Sequence, residues 1–366
     1  MSWLGLGPDE WLAMRSRSVR LRLLRSRFLT VACLAVGLSV AAESPTLSVT
    51  ELEGLRGTRP AHISWDATSE SWLVLTARGL FKVGTKGVTA TRLAEEEVLA
   101  SPRSLSVVSA SPRSILCFDQ RTEMYREYDR ATMSLVRQVS ALKIGLMPFG
   151  GIVWSQGRWI VAGRPYQNSG APPSIRFLND ISLSPEAAVT LELEERDVLR
   201  GRIENATAAV SRRGRMLVVF QALRHARIIE ADGRILRLKL PIPSGKGLED
   251  GYNGLPLNSP ENYAAAFRDK RVAVGAGWLG EHPAVFTADL GVGPSAVRLH
   301  EFNEAGEVCS EVILPLTSSD PRDFFICNAV ADPMGAIHVL ALSARYSRGG
   351  ADSSNRAVQR IDITRR

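Results

Sequence analysis

Three asparagines recur at matching points of a repeated sequence pattern, and their side-chain oxygens are suited to hold a hard cation. Asn205, Asn262 and Asn328 each open a segment of small and apolar residues, and Glu204 and Glu261 stand directly before two of them. Calcium takes six to eight oxygen ligands from carboxylates, amides and carbonyls. Gathered around one axis, these five residues would form a calcium site.

The alternative is a structural role for the same asparagines. Asparagine is common at tight strand entries because its side chain satisfies nearby backbone groups. The matching positions in the other copies are His62, Ser104 and Gly150, which are poor ligands for calcium. The sequence favours the structural role, so no cofactor is expected and calcium remains the alternative.

Other catalytic signatures are absent from the sequence. It contains no G-x-S-x-G, H-E-x-x-H, P-loop or C-x-x-C motif. The five histidines show no metal-ligand spacing: His62, His225, His282, His300 and His338. We therefore assign no catalytic residue, and the question of enzyme activity stays open but leans toward a noncatalytic protein.

The elements that would position these residues are β-strands. From residue 60 onward, apolar residues alternate or occur in bursts of four to six, separated by Gly, Pro, Asp, Asn and Ser every eight to twelve residues. This pattern is typical of antiparallel sheet, and no alternation of strands with helices indicates a parallel sheet.

One four-strand pattern recurs six times. It reads NATAAVSRRGRMLVVFQA from Asn205 and NYAAAFRDKRVAVGAG from Asn262, with further copies beginning near residues 61, 104, 150 and 328. Units that cannot bury both faces of their own sheet need neighbours, and a radial array of blades supplies them. Several first strands are rich in Ala and Gly, as expected where strands crowd one axis. The sequence predicts a six-bladed β-propeller of four-stranded antiparallel blades.

The last copy lacks a fourth strand, because little chain remains after AVQRIDIT. Residues 46–52, TLSVTEL, alternate as a strand does and precede the first complete copy. We expect this N-terminal strand to supply the missing outer strand and close the ring. Residues 43–366 then form a single propeller domain.

The repeats resemble the six-bladed propellers of the NHL-repeat and TolB-like superfamily. The resemblance covers residues 43–366 and is carried by the strand pattern and by the turn after the third strand, Asp232-Gly233 in one copy and Glu304-Ala305-Gly306 in another. That superfamily includes periplasmic binding scaffolds and calcium-dependent lactonases. The resemblance thus implies a binding scaffold, or alternatively a lactonase-like hydrolase with the metal held near the axis by Glu204, Asn205, Glu261, Asn262 and Asn328.

Long insertions are expected on one rim of this propeller. We place segments 164–173, 278–295 and 343–356 between second and third strands, and segment 244–261 between blades. Loops on one face of a rigid scaffold often carry binding, although these loops would also serve to seal the mouth. The side chains predicted to contact a ligand there are Tyr166, Asn168, Tyr252, Trp278, His282, Arg345 and Tyr346. A protein, peptide or glycan is the expected partner.

The N-terminus has the three parts of a secretory signal. An Arg-rich stretch, an apolar run over 28–42 and small residues at its end follow one another, and Met14 is an alternative start. The apolar run of 15 residues is shorter than a membrane-spanning helix needs, so cleavage is favoured over retention as an anchor. We expect residues 1–42 to be a signal peptide and the protein to be exported, to the periplasm or outside the cell, with no stable membrane span.

Charge and cysteine content narrow the function classes. Residues 1–42 hold six arginines and two acidic residues, so four of the seven net positive charges belong to the predicted signal. The remainder lacks the basic surface expected of a nucleic-acid-binding protein. Beyond the predicted signal stand Cys117, Cys309 and Cys327, which we expect not to form disulfides because Cys309 and Cys327 lie on strands too far apart.

Overall fold

The computed structural model describes residues 45–55, 60–87, 89–95, 99, 105–166, 173–191, 206–221, 223–230, 232–248, 260–290, 296–316, 323–347 and 350–364. Within these ranges, strands dominate. The exceptions are a 3-10 turn at Glu53–Leu55 and two helices, α1 (Ala141–Ile144) and α2 (Pro260–Phe267). No helix in the described ranges has the length and apolar character needed to cross a bilayer.

The strand β1 (Thr46–Glu51) precedes four separate sheets, each of four antiparallel strands that lie side by side in chain order. The first sheet contains β2 (Pro60–Asp66), β3 (Ser71–Thr76), β4 (Gly79–Gly84) and β5 (Ala90–Glu95). The second contains β6 (Leu105–Ala110), β7 (Ser114–Asp119), β8 (Met124–Asp129) and β9 (Leu135–Ser140). The third contains β10 (Leu146–Ser155), β11 (Arg158–Pro165), β12 (Ser174–Asn179) and β13 (Pro185–Thr190). The fourth contains β14 (Ala206–Val210), β15 (Met216–Phe220), β16 (His225–Ile229) and β17 (Ile235–Lys239).

The rest of the chain forms one eight-stranded sheet with two antiparallel halves. One half contains β18 (Lys270–Leu279), β19 (His282–Leu290), β20 (Val297–Phe302) and β21 (Val308–Leu314). The other contains β22 (Asp323–Ala331), β23 (Ile337–Ser347), β24 (Gly350–Thr364) and, at its outer edge, β1. A short parallel pairing of β18 with β22, from Gly275 opposite Cys327 to Trp278 opposite Val330, joins the two halves.

The first strand of each sheet, or of each half of the eight-stranded sheet, lies next to the first strand of the following one. The contacts run in sequence through β2, β6, β10, β14, β18 and β22, and β22 contacts β2 in turn. In the described part of the chain, six hydrophobic clusters lie between successive sheets or halves. The arrangement is therefore propeller-like, with buried apolar surface on both faces of each sheet.

Strand position explains the hydrophobic pattern of the sequence. The second strands β3, β7 and β15 are buried at every residue, because sheets pack on both of their faces. The outer strands β9, β13 and β17 are largely exposed. Hence the strongly apolar bursts mark second strands, and the sequence becomes more polar toward the outer edge of each sheet.

The all-β prediction and the propeller-like arrangement are confirmed, whereas six separate sheets are not observed. Four sheets are separate, and the remaining eight strands form one continuous sheet. The reason lies in two glycines of β18: a Cβ on Gly275 would stand 2.0 Å from the carbonyl oxygen of Cys327, and one on Gly277 would stand 2.3 Å from that of Ala329. Without side chains at these two positions, β18 and β22 come close enough to pair.

The prediction that the fifth copy begins with a strand at Asn262 is wrong. The segment from Asn262, NYAAAF, lies in helix α2, and the following segment, expected as a second strand, forms the first strand β18. Pro260 at the helix start, Glu261 in its first turn and the alanine run all favour helix. The predicted insertion at 278–295 consequently covers the end of β18, a turn and all of β19.

The predicted pairing of the N-terminal strand is observed. Thr46 lies opposite Thr364 and Glu51 opposite Gln359, so β1 completes the outer edge beside β24. Beyond it, the backbone N–H of Leu52 donates to the carbonyl of Val358, and the Leu52 side chain is buried with Leu340 and Leu342. One buried leucine therefore secures this segment to the last strands.

Replacing Leu52 tests how much this docking stabilises the fold. We expect Leu52→Ala to reduce the free energy of unfolding by about 2–5 kcal/mol, because it leaves a cavity at a site that is 1% exposed. Val49→Ala, on the adjoining strand β1 at a residue 46% exposed, should change it by less than about 0.5 kcal/mol. Urea denaturation measures both, and equal small effects would show that the N-terminal segment does not contribute to the domain's stability.

Candidate functional site

The last residues of the first strands enclose an axial pocket of about 400 Å³. Its lining comes from β2, β6, β10, β14, β18 and β22 and from the turns that follow several of them. Volumes of roughly 300–1,000 Å³ are usual for small-ligand sites. We take the axial pocket as the candidate functional site.

Three tryptophans form the large apolar surfaces of the axial pocket. Trp65, Trp154 and Trp278 occupy the last position of β2, β10 and β18 that faces the preceding sheet. Trp65 packs edge-on against Trp72 with ring centroids 5.3 Å apart, and Trp154 packs in the same way against Trp159. Such edge-to-face pairs fix the indoles in place.

The three strands between them carry small side chains at the same position. Ala110, Val210 and Ala331 are the last residues of β6, β14 and β22 to face the preceding sheet, and all three line the pocket. Large and small residues therefore alternate around the axis. This alternation leaves space between the indoles that six bulky side chains would fill.

The third indole is held by its neighbours. Trp278 donates from Nε1 to the carbonyl oxygen of Ala209 at 3.1 Å. The guanidinium of Arg215 lies over its ring, 4.8 Å from the centroid, and also binds Glu281 at 2.9 Å. Trp278 is thus a rigid wall of the axial pocket, in a cation–π contact on the side of Arg215.

Hydroxyl and amide groups supply the polar part of the lining. Ser64, Thr68, Ser109, Ser155, Gln156 and Ser211 contribute to it. The Ser64 side chain is 6% exposed, and its hydroxyl oxygen has no hydrogen-bond partner. A buried hydroxyl of this kind normally has one, so Ser64 is an unsatisfied polar group in the wall of the axial pocket.

Among the described residues of the lining, the charged ones are Glu70 and Arg212, and both are exposed. The remaining lining side chains are neutral, being aromatic, aliphatic, hydroxyl or amide groups. The arrangement suits recognition of a neutral group with apolar and polar sides.

Asn328 lines the same pocket, but both ends of its amide are engaged. Its Oδ1 accepts from Nε1 of Trp72 at 3.0 Å, and its Nδ2 donates to the carbonyl oxygen of Ala276 at 2.9 Å. It lies in the middle of β22, not at the strand entry expected from the sequence. The side chain therefore connects three sheets or halves at the axis.

The other members of the predicted calcium set are not brought together with Asn328 in the described residues. Asn262 and Glu261 lie in α2. Glu204 and Asn205 fall outside the described ranges. The axial calcium site remains a prediction from the sequence.

The predicted rim residues divide between the two ends of the strands. Tyr166 follows β11 at the end where first strands begin, and its hydroxyl donates to Glu123. Trp278 and His282 flank a turn at the opposite end. Arg345 and Tyr346 lie on β23, and the structure describes their backbone but not their side chains. Asn168 and Tyr252 fall outside the described ranges. Of the predicted ligand contacts whose side chains the structure describes, Trp278 lines the axial pocket, and Tyr166 and His282 do not.

Sequence reasoning missed Trp65, Trp154 and Ser64. The signal was available: two copies read ISWD and IVWS, each with a tryptophan one residue before the turn. Aligning the copies on that turn, and not on their asparagines, would have found the aromatic position.

The buried thiols of Cys117 on β7 and Cys327 on β22 stay protonated at neutral pH, so neither is a reactive thiolate. Burial raises the pKa of the Cys117 thiol to about 12 and raises that of Cys327 further. Cys309 is exposed, and none of these three cysteines forms a disulfide, as the sequence predicted.

Among three similar solved structures, the one with a TM-score above 0.5 supports the fold. A member of the DUF4221 family from Bacteroides vulgatus aligns with a TM-score of 0.52 at 6% identity, covering 88% of this chain and 97% of that chain. Virginiamycin B lyase from Staphylococcus aureus aligns at 0.46 with 10% identity, covering 88% and 99%. Hsv2 from Kluyveromyces lactis aligns at 0.43 with 10% identity, covering 79% and 93%. These neighbours are β-propeller proteins.

No family model matches the sequence, and the comparison with curated proteins found no match.

A double-mutant cycle tests the role of Asn328. We expect Asn328→Leu to lower the free energy of unfolding by about 2–5 kcal/mol, because it leaves the Trp72 N–H and the Ala276 carbonyl buried without this partner. Trp72→Phe removes one of the two hydrogen bonds. In the double variant the two losses should be non-additive by about 0.5–3 kcal/mol, measured by chemical denaturation. Strict additivity would show that the hydrogen bond contributes nothing.

Thiol labelling tests the burial of the cysteines. Iodoacetamide at neutral pH should modify Cys309 in the native protein and spare Cys117 and Cys327, because the last two are inaccessible and protonated. Peptide mass mapping reads each position separately. Labelling of all three at equal rates in the absence of denaturant would contradict this packing.

Proposed function

We propose that the protein is a noncatalytic binding propeller that takes a neutral group of its partner into the axial pocket. The observation that carries the proposal is the alternation of Trp65, Trp154 and Trp278 with small residues around a pocket of about 400 Å³. Indole faces bind apolar surfaces, and hydroxyls bind polar edges. A sugar ring has an apolar face and a polar edge of hydroxyl groups, so a glycan is the partner class that best fits the lining.

The polar groups support a binding role. Neutral hydroxyl and amide side chains line the axial pocket beside the indoles, at Thr68, Ser109, Ser155, Gln156 and Ser211. General acid–base chemistry calls for titratable groups positioned around the reacting atoms. The titratable side chains of the lining are the exposed Glu70 and Arg212, which favours recognition over turnover.

We also infer that the eight-stranded sheet represents two blades, which gives six blades in all, the architecture of the NHL-repeat and TolB-like superfamily. Each half has four antiparallel strands, and in the described strands the halves are joined in one sheet by four residue pairs between β18 and β22. The first strands of the four sheets and the two halves contact one another in a closed sequence. On this interpretation β1 completes the sixth blade.

Export remains part of the proposal. Its support is the signal-like segment over residues 1–42, and it places the protein in the periplasm or outside the cell. Such a location would give the pocket access to extracellular glycans. N-terminal sequencing of the mature protein from an extracytoplasmic fraction tests this part independently of binding.

Titration calorimetry with neutral oligosaccharides of defined composition tests the binding proposal. We expect one of them to bind, and Trp65→Ala or Trp154→Ala to reduce its affinity by at least roughly 30-fold, as for a central aromatic contact. Tyr166→Ala is the matched control, because Tyr166 is an aromatic residue at the opposite end of the strands. It should leave the affinity unchanged.

Two outcomes would contradict the proposal. A sugar whose affinity falls with Tyr166→Ala and not with either tryptophan change would place the binding surface at the opposite rim. No binding by any oligosaccharide, together with binding of a peptide library that depends on Trp65, would overturn the glycan assignment while keeping the axial pocket.

A further inference from the structure

Three side chains with metal-binding atoms meet on neighbouring strands, away from the axis. His282 opens β19, Glu301 lies on β20 and Cys309 lies on β21. A nitrogen, an oxygen and a sulfur from these residues all lie within 4.8 Å of one another. The sheet thereby brings together residues that are up to 27 positions apart in the sequence.

Strand register explains the meeting. Glu301 lies opposite Ala284, two residues after His282, so the side chains of His282 and Glu301 project from the same face. Opposite β20, the register shifts between the pair Glu301–Ser310 and the pair Phe302–Val308. Cys309 is the residue left over at this irregularity, and a bulge of this kind redirects the side chain of its extra residue.

The contacts show that the three groups already interact. His282 Nδ1 lies 2.9 Å from Glu301 Oε1, and the Cys309 thiol donates to the backbone carbonyl of Glu301 at 3.5 Å. The Glu301 side chain is 8% exposed, whereas that of His282 is 46% exposed. A buried carboxylate is therefore flanked by an imidazole and a thiol that solvent can reach.

The donor set selects the kind of metal. Calcium and magnesium prefer oxygen ligands alone, whereas zinc binds cysteine sulfur, histidine nitrogen and carboxylate oxygen at about 2.0–2.3 Å. We propose that His282, Glu301 and Cys309 form a binding site for a zinc-type divalent cation, with the fourth position open to solvent.

Zinc binding changes the protonation of the Cys309 thiol and the His282 imidazole. Zinc takes the imidazole in its neutral form and the thiol as a thiolate, so the thiol proton passes to solvent as the metal–sulfur bond forms. The imidazole stays neutral as its proton moves by way of solvent from Nδ1 to Nε2, which leaves the Nδ1 lone pair and the Glu301 carboxylate to bind the metal. The site lies beside the turn that joins β18 to β19, so bound metal would hold His282 and, through that turn, the Trp278 end of β18.

Cobalt(II) is the probe for this site, because cobalt bound to thiolate absorbs in the near ultraviolet. We expect one equivalent of cobalt to give this absorption in the untagged full chain, and zinc to abolish it by competition. Cys309→Ser should remove the absorption. His282→Ala and Glu301→Gln should each weaken zinc binding by more than the roughly 10- to 100-fold typical of changes to groups that only support a ligand.

Two control variants distinguish this site from other side chains of the protein that could bind a metal. His225→Ala changes a histidine on β16, and Cys33→Ser changes a cysteine of the predicted signal; both should leave cobalt absorption and zinc affinity unchanged. Circular dichroism confirms that each variant is folded. Cys309→Ser is conservative and at an exposed site, so it keeps the test informative even if Glu301→Gln unfolds.

Three results would overturn the proposal. These are binding of less than one equivalent of zinc, cobalt absorption that persists in Cys309→Ser, and zinc affinity that stays the same in folded His282→Ala. None of these measurements involves an oligosaccharide, so a negative result for the metal site is distinguishable from a negative result for glycan binding.

Discussion

Close approach of the first strands at the centre is the constraint on which the rest of the structure depends. Side chains there must be small, because backbone groups of neighbouring strands occupy the space that a Cβ would need at Gly275 and Gly277. Those two glycines let β18 and β22 share hydrogen bonds, and this turns two four-stranded units into one continuous sheet. Asn328 then fills the junction and satisfies the polar groups that crowding would otherwise leave buried.

The same constraint relaxes toward the ends of the strands, and this is where the pocket forms. An indole fits at the last position of β2, β10 and β18 that faces the preceding sheet. The small residues on the intervening strands keep the space open. The axial pocket is thus a result of packing at the axis, completed by the turns that follow several first strands.

Much of the fold was predictable because it follows from hydrophobic pattern and turn chemistry. The second strands are buried on both faces and produce strong apolar bursts, and the unpaired outer edge near Ile361 called for a strand such as β1. The fifth copy was misread because NYAAAF has the small apolar character of a first strand, yet Pro260 and the alanines favour helix. Local propensity and repeat pattern conflicted there, and propensity prevailed.

The candidate sites were predicted less well than the fold, for physical reasons. Asparagines were singled out because their oxygens suit a metal, with a structural role favoured, and Asn328 is a hydrogen-bond bridge between strands that only the assembled sheets bring together. Glu301 and Cys309 meet His282 through a register shift between β20 and β21. A one-residue irregularity of this kind leaves no periodic trace in the sequence, so no spacing rule would have found it.

The alternation of indoles with small residues has a consequence for how a bound molecule can be oriented. Three nearly equivalent walls would let an unsymmetrical ligand sit in any of three rotations about the central line, a degeneracy worth roughly 0.6 kcal/mol of entropy. The lining residues that follow the indoles remove that equivalence: Thr68 follows Trp65, Ser155 and Gln156 follow Trp154, and Gly280 follows Trp278. These residues offer a ligand different hydrogen bonds on the three sides, so one rotation would be favoured over the other two.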